Sequence, residues 1–363
     1  MQYLDDGEST HAMTRHPRVP VKPSRLVPYR LSAARYRRAR LLTIVGSAVV
    51  AVVGAGALVG FHTELHPVTP TGPGATQSEV TPGQVVGIRT FTPPATGVNV
   101  EPDVVYGTQP DGALLTLDVC KPTAREGARS SLAPAVISIH GGSWARGDKA
   151  NSDWRSVCEW LATEGFVAFS VNYRLAPAAV FPAAIDDVSL AVRWLRTASN
   201  AQRFGIDPLR IGVFGGSAGG NLAALLGARG SGPLTAGSRV AAVAELSGPI
   251  DLRSRELAAD RTAPSLQRSV LAYLGCKADA SCPQAAEASA TTQLDVSDPP
   301  VFLAASAHEY VPLAQATRYA QELERHGIRH EVVTVPGSLH SIGILDSAMR
   351  GKVAEFLHDT LGQ

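Results

Sequence analysis

The sequence predicts an α/β protein with a mainly parallel central sheet that is covered by helices on both faces. From residue 114 onwards, short apolar runs alternate with longer segments of helical periodicity, the pattern of strand-helix-strand units. Many of the runs are apolar at almost every position, which is typical of strands buried on both faces. With 363 residues, of which 45% are hydrophobic and 18% charged, the chain can form one large globular domain.

The predicted elements follow one another in a regular order. Strands are predicted at 114–119, 135–139, 166–172, 210–214, 240–246, 300–305 and 330–335. Helices are predicted at 152–163, 183–198, 218–228, 312–326 and 345–360. The interval 248–298 has no clear strand and would leave the sheet at the carboxyl ends of the strands, where ligands bind in open α/β folds. We therefore expect it to form a lid or a specificity insert.

Charge is distributed unevenly along the chain. Of 33 Lys/Arg and 32 Asp/Glu residues, the segment 1–40 holds nine and three, which leaves 24 and 29 for the remainder. Because the remainder is mildly acidic, nothing indicates a nucleic-acid partner. Residues 1–40 are expected to form a basic tail.

An uncharged segment, 41–61, directly follows four closely spaced arginines. As a helix it would be about 31 Å long, close to the roughly 30 Å hydrocarbon core of a bilayer. The positive-inside rule then keeps residues 1–40 in the cytoplasm, so we expect one transmembrane signal anchor with the rest of the chain extracytoplasmic. Secretion after signal cleavage is the alternative, because Ala55, Gly56 and Ala57 resemble a cleavage site.

The region beyond this segment divides into a linker and a folded domain. Residues 62–98 are rich in Pro, Thr and Gly and are expected to be a linker, with the folded domain at 99–363. All four cysteines lie in the exported part, where disulfides persist. Cys276 and Cys282 bracket a short polar loop and are the favoured pair, whereas Cys120 and Cys158 are equally well interpreted as a bridge or as buried thiols. Their spacing does not indicate a zinc site.

Two glycine-containing motifs indicate where chemistry takes place. Gly-Gly-Ser-Ala-Gly-Gly at 215–220 joins a predicted strand to a predicted helix, which is the pattern of a nucleophile elbow and makes Ser217 the candidate nucleophile. A serine hydroxyl needs a base and also donors for the oxyanion that forms. His-Gly-Gly-Ser-Trp at 140–144 follows another strand, and its backbone N–H groups could form an oxyanion hole together with the N–H of Ala218.

Five motifs occur in a fixed order: HGGSW at 140–144, YRLAP at 173–177, FPAAIDD at 181–187, FGIDP at 204–208 and GGSAGG at 215–220. Together they resemble the hormone-sensitive-lipase-like and related carboxylesterase group of α/β-hydrolases, over roughly residues 100–363. The resemblance implies the α/β-hydrolase fold and ester hydrolysis through an acyl-enzyme. It also implies that His140 holds the oxyanion loop, and it implies mainly structural roles for Tyr173, Arg174, Asp186 and Asp187.

The oxyanion loop departs from the related enzymes at one position. Such loops commonly read HGGG, and Ser143 replaces the last glycine. The donors can therefore be Gly141 with Gly142, or Gly142 with Ser143, in addition to Ala218.

His340 is the predicted base. In this fold the serine is followed along the chain by the acid and then by the histidine, and His340 lies on a glycine-containing loop after the last predicted strand. His326 and His330 flank the end of a charged helix and are expected to be solvated.

The acid should follow the strand at 300–305 and orient the imidazole of the base. Related enzymes usually have an aspartate four residues before the proline of a Val-Pro pair, and that position is His308 here. Glu309 is the next residue, and its longer side chain makes it the favoured acid. Asp298 and Asp295 precede the strand and are alternative acids. Without a catalytic role, Glu309 would be a surface carboxylate at the start of a helix, where the helix dipole favours a negative charge.

These patterns favour an exported, membrane-tethered serine carboxylesterase that acts on small to medium acyl esters without a metal or an organic cofactor. An amidase, a peptidase or a polysaccharide deacetylase would use the same residues. A catalytically silent binding protein is a third hypothesis, supported by the irregular position of the acid. Chain-length specificity and oligomeric state are not predicted.

Overall fold

Apolar runs and helical segments alternate in the chain, and the strands assemble into one sheet in the computed structural model, which describes residues 97–123, 132–277 and 281–362. In the described part, eight strands pair in the order β1-β2-β4-β3-β5-β6-β7-β8. Their bounds are β1 Val98–Thr108, β2 Leu114–Pro122, β3 Ala133–Ile139, β4 Val167–Val171, β5 Ile206–Gly216, β6 Ala242–Leu246, β7 Val301–Ser306 and β8 His330–Val335. Strand β2 pairs antiparallel with both neighbours, and the other pairs are parallel. The predicted mainly parallel sheet is confirmed.

Helices cover both faces of this sheet because successive strand residues point to opposite sides. Phe302 of β7, for example, packs in a cluster with α1 and α9, whereas its neighbour Leu303 packs in the cluster with α2, α4 and α8. The helices are α1 Ser152–Thr163, α2 Ala183–Leu195, α3 Ala198–Phe204, α4 Ala218–Ala228, α5 Ser254–Ala259, α6 Pro264–Leu274, α7 Gln284–Glu287, α8 Leu313–Arg325 and α9 Ser347–Leu361.

The largest differences between the structure and the predicted elements concern one strand and one helix. Strand β1 was not predicted, because it is an edge strand with mostly exposed or half-buried residues and lacks an apolar run. The predicted helix 183–198 is shorter, since α2 ends at Leu195 and extended backbone at Thr197 separates it from α3. The first strand starts at Val98, next to the predicted start of the folded domain.

The predicted insert between β6 and β7 consists of α5, α6, α7 and a 3₁₀ helix at Ala290–Thr292. Tyr273 of α6 is buried, and its ring stacks on Trp144 with 4.4 Å between centroids. The carbonyl oxygen of Tyr273 accepts a hydrogen bond of 2.8 Å from the N–H of Phe181. The insert is therefore packed onto the loop after β3 and does not stand away from the domain.

All four cysteines are paired. The favoured bridge between Cys276 and Cys282 is present, and Cys120 of β2 is also bridged to Cys158 of α1. Both half-cystines of the second bridge are fully buried, so it links the antiparallel part of the sheet to the helix that covers it. The interpretation of Cys120 and Cys158 as free thiols is therefore wrong.

The predicted tail, the anchor at 41–61 and nearly all of the linker lie outside the described residues. Within the part of the chain that is described, no helix combines the length and the apolar character that a membrane span requires.

Candidate active site

Ser217 lies at the sharp turn between β5 and α4. Its φ of 57° and ψ of −124° are the strained geometry of a nucleophile elbow. The turn has no room for a side chain at Gly215, where a Cβ would lie 2.1 Å from the carbonyl oxygen of Gly219. The N–H of Ser217 donates to the carbonyl oxygen of Leu246 at 2.8 Å, so neighbouring β6 holds the turn in place. Ser217 lines the cavity at the carboxyl edge of the sheet.

His340 lies against this serine from the loop after β8. Its Nε2 is 2.9 Å from Ser217 Oγ, and its Nδ1 hydrogen-bonds Oε2 of Glu309. A carboxylate can only accept, so Nδ1 carries a proton and Nε2 accepts the hydroxyl proton of Ser217. The ring is buried, with 4% of its side chain exposed, and Tyr310 packs edge-on against it at 5.7 Å between centroids. This tautomer is the one that a general base for Ser217 needs.

Glu309 lies in the loop between β7 and α8, and its side chain is fully buried. Oε2 accepts from His340, while Oε1 accepts from Ser247 Oγ at 2.8 Å and from the N–H of Ser306 at 2.7 Å. The residue before it, His308, is exposed and donates its N–H to the carbonyl oxygen of Gly337. The structure therefore brings together Ser217, His340 and Glu309, and a surface position for the Glu309 carboxylate is excluded.

The alternative acids and bases are engaged elsewhere. Asp298 pairs with buried Arg239 at 2.9 Å, before the start of β7, and Asp295 accepts from Ser297. His326 and His330 are half-buried, less exposed than expected, and a ring nitrogen of each bonds a nearby backbone carbonyl at 2.8 and 2.9 Å.

The loop after β3 forms one wall of the site. A Cβ on Gly141 would lie 3.2 Å from Ser217 Cβ, so this loop directly contacts the elbow. Gly142 has a φ of +127°, and its carbonyl oxygen accepts from the N–H groups of Ala145 and Arg146, both at 3.1 Å. Ser143 follows with a φ of 54°, which is costly for a residue other than glycine.

Several N–H groups remain available in this wall. Within the described residues, the backbone N–H groups of Gly141, Gly142 and Ser143 donate to no other residue. Ala218 is the first residue of α4, where helical N–H groups have no partner within the helix. Gly141, Gly142 and Ser143 line the same cavity as Ser217, so either predicted pair of donors, together with Ala218, can serve an oxyanion there.

His140 is buried and is not among the residues that line the cavity around Ser217. Its Nδ1–H donates to the carbonyl oxygen of Gly141 at 2.9 Å, and Tyr173 stacks on the ring at 4.4 Å between centroids. The hydroxyl of Tyr173 donates to the carbonyl oxygen of His140 at 2.9 Å. Burial lowers the pKa of His140, which favours the neutral ring. These contacts agree with the structural roles that the resemblance implies for both residues.

The other residues with implied structural roles also form internal contacts. The guanidinium of Arg174 donates to both carboxylate oxygens of Asp187, at 2.8 Å from Nε and 2.7 Å from Nη2. The N–H of Arg174 also donates to Asp187, and hydrogen bonding to this carboxylate raises the pKa of the guanidinium. Asp186 pairs with Arg229 on the surface at 3.1 Å. The pair of Arg174 and Asp187 thereby connects the segment after β4 to α2.

The cavity around Ser217 has a volume of about 470 Å³. Its lining combines apolar side chains with polar ones, and no described cluster of His, Cys, Asp and Glu side chains could hold a metal ion. Five of the predicted residues line it: Gly141, Gly142, Ser143, Ser217 and His340. The rest of the lining is Arg146, Gly147, Asn151, Asp153, Trp154, Ser265, Tyr310, Ser341 and Ile342. The cavity volume of about 470 Å³ lies within the size range of small-molecule sites.

Sequence reasoning missed most of this lining and also Ser247. Ser247 had one weak signal, because it directly follows a predicted strand at the carboxyl edge of the sheet. Trp154 and Ser265 lie on α1 and α6 and have no motif around them, so only their positions in space identify them.

Comparisons with known proteins agree with this geometry. Bovine arylacetamide deacetylase (Bos taurus) is 42% identical over 95 residues, which are 26% of this chain and 24% of the relative. Esterase LipC of Mycobacterium tuberculosis is 31% identical over 274 residues, which are 72% of this chain and 64% of the relative. This chain thus covers less than two thirds of the length of either relative. The predicted class, a carboxylic ester hydrolase, is the class that the name of LipC carries.

The fold and the family follow from two further comparisons. The structure of a truncated carbohydrate esterase from gut microbiota superposes with a TM-score of 0.61 at 25% identity, covering 75% of this chain and 99% of that one. The predicted α/β-hydrolase fold is thereby confirmed. The model of the BD-FAE family matches residues 117–323, more than half of the sequence, and the chain therefore belongs to the BD-FAE family.

Proposed function

We propose that this chain is a serine carboxylesterase that hydrolyses small to medium acyl esters through an acyl-enzyme. The observation that carries the proposal is the continuous chain of hydrogen bonds from Ser217 Oγ through His340 to Glu309, beside a loop with unused N–H groups. The cavity volume of about 470 Å³ supports substrates of modest size. The names of esterase LipC and of the carbohydrate esterase support an ester as the bond that is cleaved, whereas the name of arylacetamide deacetylase supports the amidase alternative.

The geometry supports a two-step reaction. Ser217 Oγ attacks the ester carbonyl carbon while its proton moves to Nε2 of His340, and Glu309 stabilises the imidazolium. The N–H of Ala218 and those of the oxyanion loop hold the oxyanion. The bond to the alcohol then breaks, and His340 returns the proton to the leaving oxygen. Water, deprotonated by His340, then attacks the acyl carbon, the bond to Ser217 Oγ breaks and the acid is released, and His340 returns the proton to Oγ.

Labelling of the full-length chain with a fluorophosphonate tests the nucleophile. We expect stoichiometric labelling of the wild type, none of Ser217→Ala, and a loss of kcat of about 10⁴-fold or more in that variant, as for other serine hydrolases. Ser138→Ala is the matched control, since it removes a buried hydroxyl from β3 that has no partner among the described residues. Equal labelling of Ser217→Ala and wild type would refute Ser217 as the nucleophile, whereas no labelling of the wild type would favour the hypothesis of a catalytically silent binding protein.

Removal of acetyl groups from a polysaccharide is a second candidate function. Arg146, Asn151, Asp153 and Ser265 supply polar groups to the cavity lining, which hydroxyl-rich substrates could use. The similarity to a carbohydrate esterase also favours it. Rates on p-nitrophenyl esters of increasing chain length, acetylated oligosaccharides and aminoacyl amides would separate the two candidates from an amidase or peptidase. Preference for the acetylated oligosaccharide in kcat/KM would favour the deacetylase.

We also propose that the domain is extracytoplasmic and is held at the membrane by a signal anchor at 41–61. The uncharged segment after a basic tail and the two disulfides support export. Retention of the full-length protein in membranes after carbonate washing is the expected result. Recovery of a soluble form with a mature N-terminus near Leu58 would instead support secretion after cleavage.

A further inference from the structure

Ser247 connects two parts of the candidate triad that come from different loops. It directly follows β6, and its Oγ is 2.8 Å from Oε1 of Glu309 and 2.9 Å from the N–H of Ser341. Ser341 is the residue after His340. One buried hydroxyl therefore bonds both the acid and the loop that carries the base.

The direction of both hydrogen bonds is determined by chemistry. The N–H of Ser341 can only donate, so Oγ of Ser247 accepts there, and the single hydroxyl proton is left for Glu309. With the N–H of Ser306, this gives Oε1 two donors and leaves Oε2 to face His340. The rotation of the carboxylate is thereby fixed in the orientation that the imidazole requires.

The backbone at Ser247 also favours a role for the hydroxyl. Its φ is 56°, in the left-handed region where a side chain costs roughly 1 kcal/mol and glycine costs nothing. Its N–H donates to the carbonyl oxygen of Ala304 at 2.8 Å, so the neighbouring strand β7 enforces this conformation. A serine at a position suited to glycine favours a role for its hydroxyl.

We infer that Ser247 is a positioning residue that holds the Glu309 carboxylate and the loop carrying His340 in a fixed position relative to each other. The inference rests on the proposed function. The acid lies one residue beyond its usual position in related enzymes and has one more rotatable bond than aspartate. The hydroxyl of Ser247 removes that extra freedom, so its loss should act through Glu309.

The test is a double-mutant cycle on the full-length chain, with kcat and KM measured on a p-nitrophenyl ester. Ser247→Ala and Ser247→Gly should each lower kcat about 10- to 100-fold, the range carried by one hydrogen bond to a charged group, with KM within about twofold. In a Glu309→Gln background, Ser247→Ala should lower kcat by no more than about twofold further. Ser138→Ala is the control for loss of a buried hydroxyl.

Either of two results would overturn this inference and leave the proposed function intact. One is a kcat in both Ser247 variants within about threefold of Ser138→Ala. The other is a full, additive loss in the Glu309→Gln background, since a merely structural defect would not depend on the acid. Ser247→Gly decides the case if Ser247→Ala does not fold, because glycine adopts this φ without strain. A wild type that neither hydrolyses esters nor reacts with the phosphonate would instead refute the proposed function.

Discussion

Glu309 reaches His340 from one residue beyond the position at which the family resemblance places an aspartate. Its longer side chain makes this possible, because Oε2 bonds the imidazole while Oε1 is held by Ser247 and Ser306. The carboxylate is fully buried, so few other orientations are open to it. Side-chain length and local donors together compensate for the shift along the chain.

We predict that Glu309→Gln lowers kcat by about 10³- to 10⁴-fold, because the amide no longer stabilises the imidazolium. Glu309→Asp keeps the charge but shortens the reach, so a loss of about 10- to 100-fold is expected. Steady-state kinetics on a p-nitrophenyl ester measures both. Asp295→Asn, at one of the alternative acids, is the control and should stay near wild type. A loss below about tenfold in Glu309→Gln would assign the role to another residue.

Among the elements, α6 of the insert contacts the oxyanion loop directly. Tyr273 stacks on Trp144 with an interplanar angle of 5°, and Trp144 has a φ of 56°. The stack thus covers a strained residue next to Ser143 and excludes water from it. In the described structure neither the Tyr273 hydroxyl nor Nε1 of Trp144 has a hydrogen-bond partner, so the contact depends on ring packing.

Substitutions of Tyr273 should separate the ring from its hydroxyl. Tyr273→Ala removes the stack and is expected to lower kcat about 10-fold or more, because the oxyanion donors lose their fixed positions. Tyr273→Phe keeps the ring and removes an unpaired hydroxyl. Its kcat should therefore stay near that of the wild type, and its free energy of unfolding should stay within about 1 kcal/mol of the wild-type value. The measurements are ester kinetics and urea unfolding. Equal losses in the two variants would contradict this explanation.

The two disulfides close loops of very different length, 38 and 6 residues. Loop entropy predicts a destabilisation of about 4 kcal/mol when Cys120 and Cys158 are both replaced by alanine, and about 2 kcal/mol for the Cys276 and Cys282 pair. Urea unfolding of the two double variants measures the difference. A larger effect at the short loop would show that local packing outweighs the constraint on the unfolded chain.

For the molecule as a whole, the parallel sheet assembles the site from distant segments. Ser217 follows β5, Glu309 follows β7, His340 follows β8 and the oxyanion loop follows β3. These strands are parallel, so their carboxyl ends meet at one edge of the sheet. More than a hundred residues separate the serine from the histidine that contacts it.

A second buried carboxyl makes the stability of the domain depend on pH. Glu245 of β6 is fully buried, and its Oε2 accepts from the N–H of Gly248 at 2.7 Å. Burial raises the pKa of Glu245 from 4.5 to about 8, and the nearby Glu309 contributes in the same direction. The folded state therefore holds a proton that the unfolded state loses near pH 4.5, and the free energy of unfolding falls as pH rises from 4.5 to 8.

Glu245→Gln should remove this dependence. At pH 5 the variant and the wild type should unfold at similar urea concentrations, whereas at pH 9 the variant should be more stable by a few kcal/mol, at about 1.36 kcal/mol per pKa unit. Urea titrations at pH 5, 7 and 9 give the comparison. Parallel profiles for the two proteins from pH 5 to 9 would show that burial does not raise the pKa of Glu245 in the folded state.

The sequence predicted the sheet, most of its strands and the candidate triad because these features leave local signals. Buried strands are continuous apolar runs, and the elbow and oxyanion loop are contiguous motifs with obligatory glycines. Strand β1 and the cavity residues Trp154, Ser265 and Ile342 have no such signal. An exposed edge strand lacks an apolar run, and a lining residue is defined by what faces it across the cavity.

The sequence by itself determined the fold class, and it determined the elbow at Ser217 and the loop at 140–144 because local backbone geometry restricts which residues can occupy such turns. It indicated His340 by its order in the chain and Glu309 by comparison with related enzymes. Only the tertiary structure decided which carboxylate contacts the imidazole, how Cys120 and Cys158 pair, and that Ser247 links acid to base. Those outcomes depend on how close the fold brings segments that are far apart in the chain, because hydrogen bonds and disulfides form only between atoms within bonding distance.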